Sequence, residues 1–152
     1  MHRLLRVLRT MRDLQELHLV NLLELENQMD LLCESIKNHR LLKVLDVRQE
    51  NMRKREVSAL VPLLSTNFFI ERIDISKAIV SKVNIMHLWL ALHKNISVVE
   101  LIFCRINFFA LEEIKALDAE IVINQVIQKQ IMPRVDLNNI RKISLRELPI
   151  DP

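Results

Sequence analysis

The chain has 152 residues, of which 50% are hydrophobic, and its 22 basic and 19 acidic residues leave a net charge of +3. This length predicts one domain, 1–152, with enough apolar side chains for a continuous core. Glycine is absent, which excludes glycine-rich phosphate loops, dinucleotide-binding turns and the G-x-S-x-G nucleophile elbow, because each needs glycine for backbone reasons.

The composition also bears on membranes and nucleic acids. No apolar run approaches the ~18 residues of a transmembrane helix, so no membrane span is expected. The sequence has no tyrosine and a single tryptophan, which argues against an aromatic stacking platform for single-stranded nucleic acid. Together with the balanced charge, this disfavours nucleic acid as a partner.

The N-terminal segment combines apolar residues at helical spacing with arginines and has no acidic residue before Asp13. It predicts an amphipathic helix that belongs to the unit before the first complete repeat, and its apolar side offers end contacts for a neighbouring molecule. An arginine-rich, acid-poor helix is also typical of a mitochondrial transit peptide, which is the minority alternative. The apolar residues expected to make these end contacts are Leu4, Leu5 and Leu8.

An L-x-x-L-x-L frame then recurs every 28 residues through about residue 110. A fixed period of this size predicts stacked structural repeats, and the alternation within the frame predicts a short strand in each. The frames are Leu14, Leu17, Leu19; Leu42, Leu45, Val47; Ile70, Ile73, Ile75; and Val98, Leu101, Phe103.

Between the frames lies a second apolar pattern with the same period and with the spacing of one helical stripe. Each unit is therefore predicted to be a strand followed by a helix. Pro62 falls inside the second helix and predicts a late start or a kink there. The stripes are Met29, Leu32, Cys33, Ile36; Val57, Leu60, Val61, Leu64; and Ile85, Leu88, Trp89, Leu92.

The period is lost in residues 111–152. Helical spacing continues weakly from Leu111, a β-branched run covers 121–127, and the frame returns at Ile140. Either one unit has a long helix through about residue 130, or two shorter units replace it. The β-branched run favours two shorter units, with a strand near 120–124.

The four frames and three helical stripes resemble the leucine-rich repeat family, and the 28-residue length is similar to its ribonuclease-inhibitor-like class. The resemblance implies a right-handed α/β solenoid, a short arc with parallel strands on the concave side and helices on the convex side. The chain departs from the family at the ninth frame position, which usually holds Asn or Cys. Here that position is occupied by Leu22, Glu50, Ala78 and Ile106.

Strand residues that alternate with the frame are expected to point to the concave face and to form columns across the strands. These columns predict an acidic patch beside a basic stripe, and such mixed charge suits a protein partner better than a phosphate backbone. The predicted partner-binding residues are Glu16, His18, Asp46, Arg48, Arg72, Asp74, Lys77, Glu100, Arg105, Lys142 and Arg146. Phe68 and Phe108 lie in predicted turns, where they either pack under the turn or form an edge contact.

The sequence offers little for catalysis, a cofactor or a metal. His18, Asp46 and Asp74 would form an acid–base cluster without a paired nucleophile, on an open face that does not exclude water. The five histidines show no ligand spacing, so no zinc site is expected. Cys33 and Cys104 are expected to be free thiols in a reducing compartment.

These features predict a non-enzymatic protein–protein interaction or scaffolding subunit of a larger assembly. Similar repeat proteins serve in ciliary and cytoskeletal complexes, as ubiquitin-ligase adaptors, as regulators of small GTPases and in mitochondrial complexes. An enzyme regulator is the alternative, and it would need a rigid exposed arginine, for which Arg48 and Arg105 are the candidates. The expected location is cytoplasmic, with cytoskeletal or ciliary sites as the finer expectation and mitochondria as the minority one.

Overall fold

The computed structural model describes residues 2–22, 25, 27–49, 52–78, 80–103 and 111–131. Helices and short strands alternate through these ranges. They are α1 (His2–Thr10), β1 (Glu16–His18), α2 (Met29–Ile36), β2 (Val44–Asp46), α3 (Lys54–Ser58), α4 (Leu60–Thr66), β3 (Arg72–Ile75), α5 (Lys82–Leu92), β4 (Glu100–Phe103), α6 (Leu111–Val126) and a π-helical segment (Ile127–Ile131).

The strands form one parallel sheet in the order β1-β2-β3-β4. Leu17 pairs with Leu45, Leu45 with Ile73, and Ile73 with Leu101. Because each pairing joins residues 28 apart, the sequence period is the register of the sheet. The predicted α/β class and the stacked strand–helix units are confirmed at this level.

A single hydrophobic core lies between the sheet and the helices and runs from α1 to α6. Each strand contributes its inward frame residue, as Leu45 and Ile73 do at 0% exposure. The helices contribute their predicted stripes, among them Leu32, Leu60 and Leu88, which are also fully buried. Burying one such side chain stabilises the fold by roughly 1.5–3 kcal/mol. Because neighbouring units bury these side chains against each other, the shared core holds the units in a stack.

Leu5 and Leu8 were predicted to be end contacts, and the structure corrects this. Leu5 is 5% exposed and Leu8 is 2% exposed, and both belong to the core of the chain itself. They are buried because α1 packs against α2, so the first helix closes the end of the core instead of presenting its apolar side. Leu4 is half-buried against the same core.

Pro62 divides the second predicted helix, as its position suggested. The helix is split into α3 and α4 at Ala59. Proline at position 62 has no N–H for the carbonyl four residues earlier and its ring crowds that carbonyl, so the ladder breaks one turn before it. Proline itself sits in the first turn of α4, where a missing N–H costs little.

The prediction of a strand near 120–124 is wrong. Residues 111–126 form α6, the longest helix in the described part of the chain. β-Branched residues favour a strand only weakly. Because the same run also has apolar residues at helical spacing, packing of that apolar side overrides the strand preference. The side of α6 buried against the rest of the chain contains Ile114, Leu117 and Asn124. The returning frame at 140–145 lies outside the described residues.

Buried polar side chains join successive turns between helix and strand. Asn95 Nδ2 donates to the carbonyls of Leu64 (2.7 Å) and Asn67 (2.8 Å). Asn67 in turn donates to the carbonyls of Lys37 and His39, both at 3.2 Å. His39 occupies the same position one repeat earlier, and its Nε2 donates to the Leu8 carbonyl at 2.8 Å.

The last member of this row is Asn124, which bonds the carbonyls of Asn95 and Val98 at 2.8 Å each. We call His39, Asn67, Asn95 and Asn124 the turn ladder. It satisfies helix-end and turn carbonyls that would otherwise be buried without partners. The ninth frame position, where the leucine-rich repeat family usually carries Asn or Cys, is apolar at Leu22 and Ala78, so the ladder of this chain lies at a different place in the repeat.

Candidate protein-binding surface

The side of the sheet that faces away from the helices carries a row of charged side chains. We call Glu16, His18, Asp46, Arg48, Arg72, Asp74 and Glu100 the polar sheet face. Parallel pairing places Glu16, Val44, Arg72 and Glu100 in one column, and His18, Asp46 and Asp74 in the next. The predicted alternation thus brings these residues together.

Arg48 is the centre of this face. Its Nε and Nη2 atoms donate to the two carboxylate oxygens of Asp46, at 2.8 Å and 2.7 Å. The same guanidinium lies 3.7 Å from an Asp74 oxygen. A bidentate arginine–carboxylate pair of this kind fixes both side chains in one geometry.

His18 links the network to the next carboxylate. Its Nδ1 is 3.3 Å from Asp46 Oδ2, and its Nε2 is 3.2 Å from Glu16 Oε2. A neutral imidazole has one donor nitrogen, so only the protonated ring donates to both acids. The hydrogen bonds to Glu16 and then Asp46 accordingly raise the pKa of His18 above its ordinary value.

Asp46 is buried beneath its partners, with 4% of the residue exposed. The Arg48 hydrogen bonds lower the pKa of Asp46 to about 2, against the opposing effect of burial. Asp74 is also buried, and its Oδ1 accepts a 2.9 Å hydrogen bond from the Ser76 amide. Asp46 is therefore held as a carboxylate by Arg48, and Asp74 has an internal hydrogen-bond donor of its own.

This pairing corrects the predicted acidic patch, whereas the predicted basic stripe lies partly outside the described residues. Asp46 and Asp74 lie largely under Arg48 instead of offering their charge to solvent, because a residue two positions along the same strand direction can reach back across the face. The sheet face presents to solvent the Arg72–Glu100 pair, 3.3 Å apart and about half exposed. The outer side of Arg48, together with Glu16 and His18, is exposed beside this pair.

Lys77 lies at the border of this face, where its Nζ contacts Asn21 Oδ1 at 3.3 Å. Phe68 is 49% exposed in the turn before β3, so it does not pack under that turn. Arg105, Phe108, Lys142 and Arg146, and also Cys104, lie outside the described residues.

Comparison with known proteins gives a structural likeness without a sequence match. No protein-family model matches the chain, and no curated protein matches it by sequence. The chain is similar in structure to "Leiomodin-1 Actin-Binding Site 2 (ABS2)", with a TM-score of 0.62 and 11% identity, over 86% of this chain and 94% of that one. It is also similar to a tropomodulin C-terminal domain from Caenorhabditis elegans, with a TM-score of 0.54 and 10% identity, over 82% and 96%. At these identities the likeness shows a shared fold.

The described residues hold no cluster of three His, Cys, Asp or Glu side chains that could bind a metal ion. Cys33 is a buried free thiol, and burial raises its pKa to about 12, which removes it as a nucleophile at neutral pH. No helix in the described ranges is both long enough and apolar enough to cross a bilayer.

Of the two arginines proposed for an enzyme regulator, Arg48 is held on the polar sheet face and Arg105 lies outside the described residues. The Nε and Nη2 atoms of Arg48 are hydrogen-bonded to Asp46, and Nε is also 3.7 Å from Asp74. An arginine that stabilises charge on another protein's substrate must be able to leave its resting partners. The geometry of Arg48 instead suits a fixed part of a surface.

A second surface, which the repeat pattern did not predict, lies at the turns between the helices and the following strands. A groove of about 1110 Å³ lies there, lined by arginines and by two apolar side chains. The available signal was the repeat itself, since Arg12 and Arg40, and also Leu41 and Phe69, are 28 residues apart. We call this the turn groove.

Proposed function

We propose that this chain is a non-enzymatic protein-binding module of the leucine-rich repeat type, that it acts in the cytoskeleton, and that actin is its partner. The observation that carries the proposal is the polar sheet face, an open row of charged side chains held rigid by stacked strands and by each other. The likeness to a domain described as an actin-binding site supports the choice of partner.

The chemistry of the face supports binding over catalysis. The buried Asp46 is paired with Arg48, and the buried Asp74 accepts the Ser76 amide hydrogen bond, so the desolvation cost of docking falls mainly on the exposed Arg72–Glu100 pair. Mixed exposed charge such as Arg72 and Glu100 gives orientation and specificity to a protein contact. Because the strands fix the backbone, little conformational entropy is lost when a partner binds.

The test is co-sedimentation of the full chain with actin filaments, with a parallel titration of labelled actin monomers. We expect saturable binding to one of these forms. Arg72→Glu places a second negative charge beside Glu100 on the polar sheet face, and we expect it to weaken binding about tenfold, which corresponds to ~1.4 kcal/mol.

Lys115→Glu is the matched control. Lys115 is an exposed cation paired with Glu112 at 2.9 Å, on α6, so its reversal changes the net charge equally on another face. It should leave actin binding unchanged. Failure to bind either form of actin would refute the proposed partner, and equal losses in the two variants would refute the assignment of the face.

We propose further that the chain works as a subunit of a larger cytoskeletal assembly. The measurement is size-exclusion of a native extract, with mass spectrometry of what co-elutes. Elution in a large defined particle with cytoskeletal proteins is the expected result. Elution near 18.0 kDa, the mass of the chain alone, would contradict it.

A further inference from the structure

The turn groove lies at the edge where the helices return to the strands, away from the polar sheet face. The C-terminal ends of α1, α2 and α4 border it, and its volume is about 1110 Å³. Its walls are fixed, because His39 bonds the Leu8 carbonyl and Asn67 bonds the carbonyls of Lys37 and His39. The backbone of the groove is therefore preformed by the turn ladder, and binding needs to order only the exposed side chains that line it.

The charge of the groove is strongly positive. Four basic residues line it, Arg9, Arg12, Lys37 and Arg40, against one acid, Glu34. Glu34 is paired with Lys37, and Arg9 Nε donates to Ser35 Oγ at 3.3 Å. Among the described residues, neither Arg12 nor Arg40 forms an ion pair, and both are exposed.

Helix ends explain only part of this charge. Cations near a helix C-terminus are favoured by the helix dipole, which accounts for Arg9 and Lys37. Arg12 and Arg40 follow the helices, in equivalent positions of neighbouring units. Both line the groove without a carboxylate partner among the described residues, and an arginine fork left open in this way can bind a carboxylate bidentately.

The other half of the groove is apolar. Leu41 is 47% exposed and Phe69 is 39% exposed, and they too occupy equivalent positions in neighbouring units. Phe68, 49% exposed, follows the same edge of the sheet. These exposed side chains do not contribute to the core, which the frame and stripe residues already fill.

We propose that the turn groove binds an acidic peptide segment of a partner protein, with carboxylates on Arg12 and Arg40 and a bulky aliphatic side chain on Leu41 and Phe69. Charge complementarity selects an acidic occupant. The apolar half selects a peptide over a nucleic acid, whose backbone would require cations along the whole groove. This site is separate from the polar sheet face and does not rest on actin binding.

The experiment is fluorescence anisotropy of the full chain with a labelled twelve-residue peptide of Asp, Glu and two adjacent Leu. A second peptide of equal charge has both Leu replaced by Ser, and a single-stranded oligonucleotide of equal charge is the third probe. We expect the Leu peptide to bind at least about tenfold more tightly than the other two, because only it fills the apolar half. Equal binding of the Ser peptide, or tighter binding of the oligonucleotide, would overturn the proposal.

Variants locate the site. Arg40→Glu should weaken peptide binding at least about tenfold, since it replaces an attraction by a repulsion. Leu41→Ser should weaken the Leu peptide and leave the Ser peptide unchanged. Both residues are exposed, so the variants should keep the thermal midpoint of the parent.

Arg72→Glu is the control for the other surface. It should leave peptide binding intact, just as Arg40→Glu should leave actin co-sedimentation intact, so that failure of one proposal is distinguishable from failure of the other. Loss of peptide binding in Arg72→Glu, or its persistence in Arg40→Glu, would place the peptide elsewhere and refute the turn groove.

Discussion

Asn95 is the residue of the turn ladder whose removal should cost the most stability. It is fully buried, and its Nδ2 donates to two carbonyls while its Oδ1 accepts from the Ser97 amide (2.9 Å) and the Ser97 hydroxyl (2.6 Å). Asn95→Ala leaves the two carbonyls and the amide buried without partners. At ~1–3 kcal/mol for each orphaned group, with partial relaxation, we expect a loss of about 3–5 kcal/mol.

The assay is urea unfolding of the full chain followed by circular dichroism, with a shift of midpoint at constant slope taken as a change in stability. Asn38→Ala is the matched control, because Asn38 is an exposed asparagine in the turn after α2, and its loss should stay within about 0.5 kcal/mol.

Asn95→Asp separates hydrogen bonding from volume. It keeps the size of the side chain but replaces the donor by an acceptor that faces two carbonyls, so we expect it to be at least as destabilising as Asn95→Ala. A fully stable Asn95→Asp variant would mean that Asn95 acts by filling space, and it would refute the ladder as the source of the stability.

Four further predictions concern single side chains. The pKa of Asp46, about 2 in the folded state against an ordinary 3.8, means that its contribution to stability is present above about pH 4 and is lost as the pH falls through 2. The raised pKa of His18 acts in the opposite direction: its contribution is complete below pH 6.5 and is lost as the pH rises through the folded-state value. Urea midpoints measured across pH 2–9 check both signs. His18→Ala should flatten the upper limb and should also make the acid limb shallower, because the His18 hydrogen bond helps to lower the pKa of Asp46. Arg48→Ala should raise the pKa of Asp46 toward the ordinary range, measured by carboxyl carbon NMR, whereas Arg72→Ala should leave it unchanged. Cys33 should resist alkylation at pH 8 in the native chain and react rapidly in urea, measured by peptide mass spectrometry, and rapid labelling of the native chain would contradict its burial.

The two proposed sites differ in how many of their charged side chains are already paired within the chain, and this difference predicts a different dependence of binding on salt. On the polar sheet face the two arginines are already paired, Arg48 with Asp46 and Arg72 with Glu100. The turn groove keeps Arg12 and Arg40 without carboxylates. Binding in the groove should therefore weaken with added salt much more than binding to the sheet face, because the charges it uses are not already paired.

The sequence by itself determined the repeating unit and its register. Leu17, Leu45, Ile73 and Leu101 are 28 apart, and only parallel strands stacked at that offset can bury all four. Pro62 likewise predicted its own helix break from backbone chemistry alone. These features are local or strictly periodic, so a pattern in one dimension contains them.

Other features were decided by contacts that no spacing rule contains. The β-branched run in 121–127 is helical because α6 packs on the neighbouring helix. Burial of Ile114 and Leu117 there stabilises the helix by more than the branched side chains destabilise it. Leu5 and Leu8 became core because α1 folds back on α2. Each outcome depends on what lies opposite a residue, which the sequence does not state.

The candidate sites divide in the same way. Alternation along the strands placed His18, Asp46 and Arg48 on one face, but only the tertiary structure showed that Arg48 reaches back over Asp46 and cancels its charge. The sequence did not predict the turn groove, because the groove depends on the long-range hydrogen bonds of His39 and Asn67. These bonds hold successive turns together beside Arg12 and Arg40. Periodicity fixes which residues are neighbours, whereas side-chain reach and long-range hydrogen bonds decide which charges remain open to a partner.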